Sequence, residues 1–242
     1  MKNTKLVITL LLLVAVTASH AQSGKKIKGN GQLLTKTISV SEYDAVSSAG
    51  IFKVALVEGI EGSITLSAEE NLHEYIDIYT EDNKLKIEVK KNYQLSTSIG
   101  KSIEVTVPVQ QINGLSLAGS GSISSKQILN ADDFKISLAG SGSIQVEINT
   151  KSTKTSVAGS GKINLSGNTE RLKISVAGSG NTFAENLKAD NVELSVAGSG
   201  NVTVYSSETI KASIAGSGNI EYHGNPEIKD IKVSGSGRVK GI

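Results

Sequence analysis

The sequence contains no cysteine and no tryptophan, only two prolines, and a single methionine at its first position. Without cysteine the chain has no disulfide framework, no thiolate ligand for a metal and no cysteine for lipid attachment. Aromatic residues make up 4% of the chain, whereas there are 25 glycines. This composition indicates β-structure built from small residues and argues against a helical enzyme.

Neither sign of charge is in excess. Outside Lys2 and Lys5, 23 basic residues are balanced by 23 acidic ones. A chain this close to neutrality lacks the overall electrostatic footprint of a protein that binds nucleic acid or an anionic membrane. We therefore expect no nucleic-acid partner.

Long hydrophobic runs are missing except at the N-terminus, where an apolar stretch over residues 6–16 follows two lysines. Ser19 and Ala21 then stand at the −3 and −1 positions of a cleavage site. We predict that residues 1–21 are a signal peptide too short to remain as a membrane helix, and that residues 22–36 are a flexible mature N-terminus. The protein is therefore expected to be exported to the periplasm, the outer-membrane surface or the medium, with no transmembrane segment in the mature chain.

What the sequence does contain is a tetrapeptide, Ala-Gly-Ser-Gly, that recurs through its second half. Counted between the alanines, and including a degenerate copy that begins at Ser234, the spacings are 21, 19, 19, 20, 18 and 19 residues. A phosphate-binding loop or a catalytic turn would be needed once, so this repetition indicates stacked structural units. The alanines are Ala118, Ala139, Ala158, Ala177, Ala197 and Ala215.

Side chains around each alanine alternate with the period of a β-strand. Mostly aliphatic residues occupy positions −3, −1 and +5, and the even positions are small or polar. The two glycines, at +1 and +3, share the inward parity of the aliphatic residues and predict a bend. About 19 residues at about 3.3 Å each make a closed coil of two or three short strands. We therefore predict an all-β chain whose residues 115–242 form a parallel β-solenoid, with an antiparallel meander as the alternative.

Residues 37–114 depart from the repeat and are predicted to be a variant N-terminal β part that continues into the solenoid. A worn copy of the motif lies at Ala49–Gly50, with Val46, Phe52 and Val54 on the inward parity. Beyond it the sequence indicates, in order, a helical turn near Glu70–Tyr75, a hairpin turning at Glu81-Asp82-Asn83, and a loop over Lys91–Lys101.

Four features in a fixed order resemble one known family. They are an F/Y-D-x-V…G-I/V-F-x-V opening, an L-x-I-x-V strand, a V-x-V-P strand and repeated S-x-[AS]-G-S-G-x-[IV] motifs, at Tyr43–Val54, Leu85–Val89, Val105–Pro108 and from Ala118 onward. From Thr37 to Gly237 the chain resembles the head GIN domain family of autotransporter-type adhesins, secreted proteins of Bacteroidetes-like bacteria. The resemblance implies a right-handed, pectate-lyase-like β-helix in a secreted or surface-associated protein with an adhesive role, and it brings no catalytic residues.

One regular face of the predicted solenoid is the candidate binding site. One serine per coil points outward at +2, and asparagines at +4 stack beside three of them, with about 4.8 Å between coils. The serine column is Ser120, Ser141, Ser160, Ser179, Ser199 and Ser217, and the asparagine column is Asn181, Asn201 and Asn219. This stripe predicts binding of a glycan, a cell-surface protein or a second copy of the chain. The alternative is that small residues suit a tight corner and that the stacked side chains hydrogen-bond one another.

An enzyme that cleaves polysaccharides is the main competing hypothesis, because lyases and hydrolases also use parallel β-helices. Such a site needs converging carboxylates, and adjacent coils can bring Asp132, Asp133, Asp190 and Glu193 to one side. The long loops and aromatic platforms of such enzymes are missing, so we predict no catalytic activity. With only two histidines after the signal peptide, and no aspartate beside the glycines, we predict no metal and no other cofactor.

Overall fold

The structure, a computed structural model, describes residues 24–242, and the predicted signal peptide lies outside this range. About 73% of the residues are in strands and 3% in helix. Among the described residues no helix is both long and apolar enough to cross a membrane. The elements are β1 (Lys25–Lys28), β2 (Leu33–Ser39), β3 (Ala45–Gly50), β4 (Lys53–Glu58), β5 (Ser63–Glu69), the 3₁₀-helix η1 (Glu70–Tyr75), β6 (Ile76–Glu81), β7 (Lys84–Val89), β8 (Tyr93–Ser96), β9 (Glu104–Val109), β10 (Gly114–Gly119), β11 (Ser122–Gly140), β12 (Ser143–Gly159), β13 (Lys162–Gly178), β14 (Asn181–Gly198), β15 (Asn201–Tyr205), β16 (Thr209–Gly216), β17 (Asn219–His223), β18 (Ile228–Gly235) and β19 (Arg238–Gly241).

The repeats stack as parallel coils. The first residues of successive motifs are paired in register along the whole stack, in the order Ala118, Ala139, Ala158, Ala177, Ala197, Ala215 and Ser234. All these pairings are parallel, so the predicted β-solenoid is confirmed and the antiparallel meander is excluded. The solenoid has coils of about 19 residues and about 7 turns.

The aliphatic positions predicted from the alternation form the core. In one coil Val157 is 2% exposed and Ile163 is 0% exposed, and in the next coil Ile174 is 1% exposed and Val176 2%. Burying each such side chain contributes about 1.5–3 kcal/mol. The same positions, repeated coil after coil, therefore supply one continuous stabilising core.

The two glycines of each motif form the predicted corner but differ in burial, so the predicted inward parity is confirmed for the second glycine and wrong for the first. Gly161 and Gly180, the second glycines of two motifs, are buried, whereas Gly159 and Gly178, the first glycines, are exposed. The first glycine has a positive φ, 117° at Gly159, which interrupts the alternation of side chains at this point. Strand β12 ends at Gly159 and β13 begins at Lys162, so the bend lies where the glycines predicted it.

The worn copy of the motif belongs to the same stack. It ends strand β3, which pairs in parallel with β10 so that Ala49 lies opposite Ala118. Val46, Phe52 and Val54 are at most 1% exposed, as their parity predicted. The order of the strands in the stack nevertheless differs from their order in the chain. One edge of β3 and of β4 pairs with β10 and β11, and the opposite edge pairs with β7 and β9. The chain leaves this coil, builds strands outside it, and returns through β10 to its other side.

Antiparallel strands cover the N-terminal end of the stack. Strand β6 pairs with β7, β5 with β9, and β2 with β5. The predicted hairpin turn is confirmed, since Asp82 and Asn83 have φ values of 51° and 57°, as a type I′ turn requires. The predicted helical turn is the 3₁₀-helix η1. These pairings satisfy strand edges that a solenoid end would otherwise expose.

Two segments predicted to be irregular contain strands. Strand β8 lies within the predicted loop Lys91–Lys101, and β1 with the start of β2 lies within the segment 22–36 that was predicted to be flexible. The reason is mutual pairing, because β1 pairs with β8 and β2 with β5. Glu69 links the two segments, since its buried carboxylate accepts hydrogen bonds from the backbone N–H of Gly31 at 2.5 Å and of Ser98 at 2.9 Å.

The last coil leaves part of the core uncovered. Strand β18 pairs in parallel with β16, and no other strand within residues 24–242 is stacked in register on its opposite edge. Ile231 and Val233 occupy core positions of the repeat but are 41% and 43% exposed. Among residues 24–242, the solenoid is therefore covered at its N-terminal end, and one edge of β18 is left uncovered.

Candidate functional site

The serine column forms one exposed row along a corner of the solenoid, as predicted. All six serines are exposed. Their backbone N–H groups are satisfied by the preceding coil: the N–H of Ser160 donates to Gly140 O at 3.0 Å and that of Ser179 to Gly159 O at 2.9 Å. The backbone thus fixes the spacing of the row, and the hydroxyls face outward.

The asparagine column is stacked beside it. Asn201 Nδ2 donates to Asn181 Oδ1 at 3.0 Å, and Asn219 Nδ2 donates to Asn201 Oδ1 at 3.0 Å. These bonds use the side-chain amides within the stack, which agrees with the alternative that the asparagines stabilise the corner. In the described part of the chain no comparable bond joins the serine hydroxyls to one another.

A second surface, which the sequence did not predict as a binding face, is a groove of about 1150 Å³ that crosses several coils. We call it the axial groove. Its floor includes Asn130, Asn149 and Asn168, which are paired in register in consecutive coils. Asn149 Nδ2 lies 3.4 Å from Asn130 Oδ1. The loop between β9 and β10 contributes Asn113 to the lining of the groove.

Three of the four acids considered for catalysis do converge in the axial groove. Asp132, Asp133 and Asp190 line it, whereas Glu193 lies outside it. Asp132 Oδ1 is 3.0 Å from the ammonium of Lys151. None of the three is buried. The groove therefore presents solvated carboxylates beside amides, a set suited to hydrogen bonding with hydroxyl groups.

A buried threonine cluster supports the groove from below. Thr150 Oγ1 lies 2.7 Å from Thr153 Oγ1 and 2.9 Å from Thr169 Oγ1. These hydroxyls satisfy one another beneath Asn149 and Asn168, because side chains alternate between the inner and outer faces. The signal in the sequence is a threonine at the inward position after the asparagine in two consecutive coils.

Metal ligands are not gathered at either surface. Within residues 24–242, no group of three or more His, Cys, Asp or Glu side chains is arranged to hold a metal ion. His73, a half-buried residue of η1, directs Nε2 at the backbone oxygen of Leu34, 3.0 Å away.

A sequence model of the family described as putative auto-transporter adhesin, head GIN domain, matches residues 42–226. The chain belongs to this family. A putative adhesin from Bacteroides fragilis is 24% identical to this head GIN domain, with a TM-score of 0.82 and coverage of 89% of this chain and 100% of that one. A putative lipid binding protein from Parabacteroides distasonis is 27% identical, with a TM-score of 0.75 and coverage of 90% and 100%. A putative adhesin from Parabacteroides merdae is 25% identical, with a TM-score of 0.71 and the same coverage of both chains.

No curated protein matches the chain. The solved structures carry the same solenoid fold from end to end, which agrees with the family assignment. The names of the family and of two of these structures refer to adhesion.

Proposed function

We propose that this head GIN domain is an exported, non-enzymatic adhesive module of the cell envelope that binds a neutral glycan in the axial groove. The observation that carries the proposal is the stacking of Asn130, Asn149 and Asn168 along the floor of a groove that crosses several coils. The adhesin names of the family and of the similar structures support the same class of function.

The spacing of the groove side chains suits an extended polymer. Consecutive coils place equivalent side chains about 4.8 Å apart, so the same contact is offered repeatedly along the solenoid axis. Each amide offers two donors and an acceptor, and each carboxylate offers acceptors, which together match sugar hydroxyls. Acids outnumber lysines along the groove, since Lys151 and Lys188 line it with five carboxylates, so an acidic glycan would be repelled.

The environment of the acids supports binding rather than catalysis. Glycosidases need two carboxyl groups in different environments, one of which stays protonated to act as the acid. Here Asp132 is paired with Lys151, and Asp190 Oδ1 accepts a hydrogen bond from Ser207 Oγ at 2.9 Å. All of the acids that line the axial groove are at least partly exposed to solvent.

The test is a binding screen of the purified protein against a panel of neutral glycans, with reducing ends measured in the same samples. We expect saturable binding without release of reducing ends. The Asn149→Ala/Asn168→Ala variant should weaken binding about thirtyfold, since each of the two lost polar contacts is worth roughly 1 kcal/mol. Ser160→Ala/Ser179→Ala, in the same two coils of the serine column, is the matched control and should bind normally.

Other outcomes of the screen would overturn parts of this proposal. Reducing-end release that stops in Asp190→Asn would identify a polysaccharide-active enzyme. Loss of binding only in the serine variant would move the site to the serine column. Absence of binding to every glycan of the panel would reject a neutral glycan as the ligand of the axial groove.

Self-association is a second candidate function, and the exposed core residues of β18 favour it. Ile231 and Val233 lie on an edge that a second copy of the chain could cover. We expect sedimentation to show a concentration-dependent dimer that Val233→Lys abolishes. A monomer at all concentrations would exclude this function.

A further inference from the structure

We propose that the solenoid has a second ligand surface, separate from the axial groove, that binds an acidic polysaccharide through stacked lysines. Four lysines lie at the −4 position of the repeat, on the outward parity of the face that carries the alanines. They are Lys135, Lys154, Lys173 and Lys211, here called the lysine column. This inference goes beyond the proposed function, which concerns neutral glycans in the axial groove.

The register brings these lysines into one line along the solenoid axis. Lys135 pairs with Lys154, and Lys154 with Lys173, in consecutive coils. Glu193 takes the next place, Lys211 follows it, and Asp230 lies beyond Lys211. All four lysines are exposed. Neighbouring positions are about 4.8 Å apart, so Lys135, Lys154 and Lys173 form an uninterrupted line of positive charge across three coils.

Most of this charge is not neutralised within the protein. Lys173 Nζ lies 2.6 Å from Glu193 Oε1. Lys135, Lys154 and Lys211 make no ion pair with any residue in the range 24–242. Like charges directly opposite each other in a sheet are destabilising, so the fold gains nothing from stacking three lysines. A ligand that carries a row of negative charges would remove this repulsion.

The shape of the surface also suits a polymer. A shallow depression of about 340 Å³ beside the column is lined by four cationic side chains and one carboxylate, namely Lys154, Arg171, Lys173, Lys211 and Glu193. On the other side, the outward positions −2 and 0 of the repeat hold serine and alanine in these coils. These small side chains let an extended chain approach the ammonium groups, and they contribute no competing carboxylate.

The absence of aromatic side chains beside the lysine column favours an acidic polysaccharide over nucleic acid. Single-stranded nucleic acid is held by aromatic side chains on which bases stack, in addition to positive charge. The outward positions −4, −2 and 0 of the full repeats hold no aromatic residue. An acidic polysaccharide needs no stacking platform, because its carboxylates or sulfates repeat along the chain and can each meet one ammonium group.

The experiment measures binding of the purified protein to polygalacturonate and to heparin over a range of salt concentrations. Dextran serves as the neutral probe and a single-stranded oligonucleotide as the competing polyanion. We expect both acidic polysaccharides to bind with an affinity that falls as salt rises, as in any association driven by counterion release. The Lys135→Gln/Lys154→Gln/Lys211→Gln variant should lose about tenfold in affinity at low salt and show a shallower salt dependence.

The matched control removes the same charge from other positions. Lys53, Lys126 and Lys240 are exposed and lie outside the lysine column, so the Lys53→Gln/Lys126→Gln/Lys240→Gln variant should bind within twofold of the unmodified protein. If both variants lost the same affinity, the cause would be the lower net charge and not the position of the lysines, and the proposal would be overturned. Failure of both acidic polysaccharides to bind at low salt, or tighter binding of the oligonucleotide, would overturn it as well.

The axial groove is tested separately by its own variant. Asn149→Ala/Asn168→Ala should leave polygalacturonate binding unchanged, because neither residue belongs to the lysine column. Loss of neutral-glycan binding in the asparagine variant alone, and of acidic-polysaccharide binding in the lysine variant alone, would establish two sites. A lysine column that fails this test would leave the proposed function intact.

Discussion

Gly180 lies directly against Val157 of the preceding coil. A Cβ built on Gly180 would stand 2.5 Å from Val157 Cγ1, closer than any real contact. The second glycine of the motif is therefore required by the side chain of the coil beneath it, which fills the space that its own side chain would take. The same relationship recurs between Gly161 and Leu138, at 2.6 Å.

This contact predicts that Gly180→Ala destabilises the protein. Overpacking of a tight core costs about 1–3 kcal/mol, and the free energy of unfolding in urea should fall by that amount. Ser179→Ala, one residue earlier and exposed, is the control and should change it by less than about 0.5 kcal/mol. A double-mutant cycle with Val157→Ala should give a favourable coupling, because the smaller alanine side chain at position 157 relieves the clash. Additive costs would contradict the proposed contact.

Glu69 predicts an acid-sensitive N-terminal end. Burial raises the pKa of its carboxyl, but hydrogen bonds from Ser98 and Gly31 outweigh burial, and the pKa lies below its ordinary value of 4.5. With a folded-state pKa below the unfolded one, the carboxylate's contribution to stability is complete above pH 4.5 and is lost as the pH falls through the folded-state pKa.

We therefore expect Glu69→Gln to lower the unfolding midpoint at neutral pH and to reduce the loss of stability on acidification. Unfolding curves recorded from neutral pH down through the folded-state pKa of Glu69 check both effects. Glu42→Gln, at an exposed position, is the control and should keep the pH dependence of the unmodified protein. An identical pH dependence in Glu69→Gln would show that the buried carboxylate is not the sensitive group.

The hydroxyl of Tyr43 ties the start of the fold to strand β9. It donates to Pro108 O at 2.5 Å, and burial together with the nearby charge of Glu61 raises the pKa of Tyr43. Tyr43→Phe should lower the free energy of unfolding by about 0.5–1.5 kcal/mol, because the partly buried carbonyl of Pro108 loses its donor. Tyr79→Phe removes an exposed hydroxyl that donates to Glu88 and should be nearly neutral. Equal effects of the two substitutions would argue against the buried hydrogen bond.

The asparagine column predicts a cost that depends on position in the stack. Asn201 bonds to neighbours on both sides, whereas Asn219 bonds through its side chain to Asn201 alone. Asn201→Ala should therefore destabilise by about 1 kcal/mol, and Asn219→Ala by roughly half of that. Thermal unfolding of the two variants compares them directly, and a larger effect at Asn219 would contradict a structural role for the column.

The coil itself was predictable from the sequence because its determinants are local. The inward residues at −1 and +5 and the glycines at +1 and +3 recur in each repeat, and each coil meets a neighbour with the same pattern. Val157 and Ile163 are buried because they occupy inward positions of this pattern, and the serine column is exposed because it occupies outward positions. The parity of the first glycine was not predictable in this way, since its positive φ is set by the corner.

The axial groove was not predictable from the repeat, because its residues do not keep a constant distance from the motif. Asn130 follows Ala118 by twelve residues, whereas Asn149 follows Ala139 by ten. The register shift between Ser124 and Ile128 absorbs the difference and brings the two asparagines together. The position of a bulge depends on the fit between neighbouring strands, so it cannot be predicted from the sequence of one coil.

By itself, the sequence determined the 19-residue period and the identity of the core positions, since a side-chain pattern with period two needs only the strand to define it. The choice between parallel coils and an antiparallel meander came from the register of the strands in the structure. The tertiary structure decided that β3 lies between β7 and β10, that β1 pairs with β8, and that Asp132 and Asp190 meet in one groove. These relationships join residues that are distant in the chain. They depend on which of several distant strands pairs with a given strand edge, and a local sequence pattern does not specify that choice.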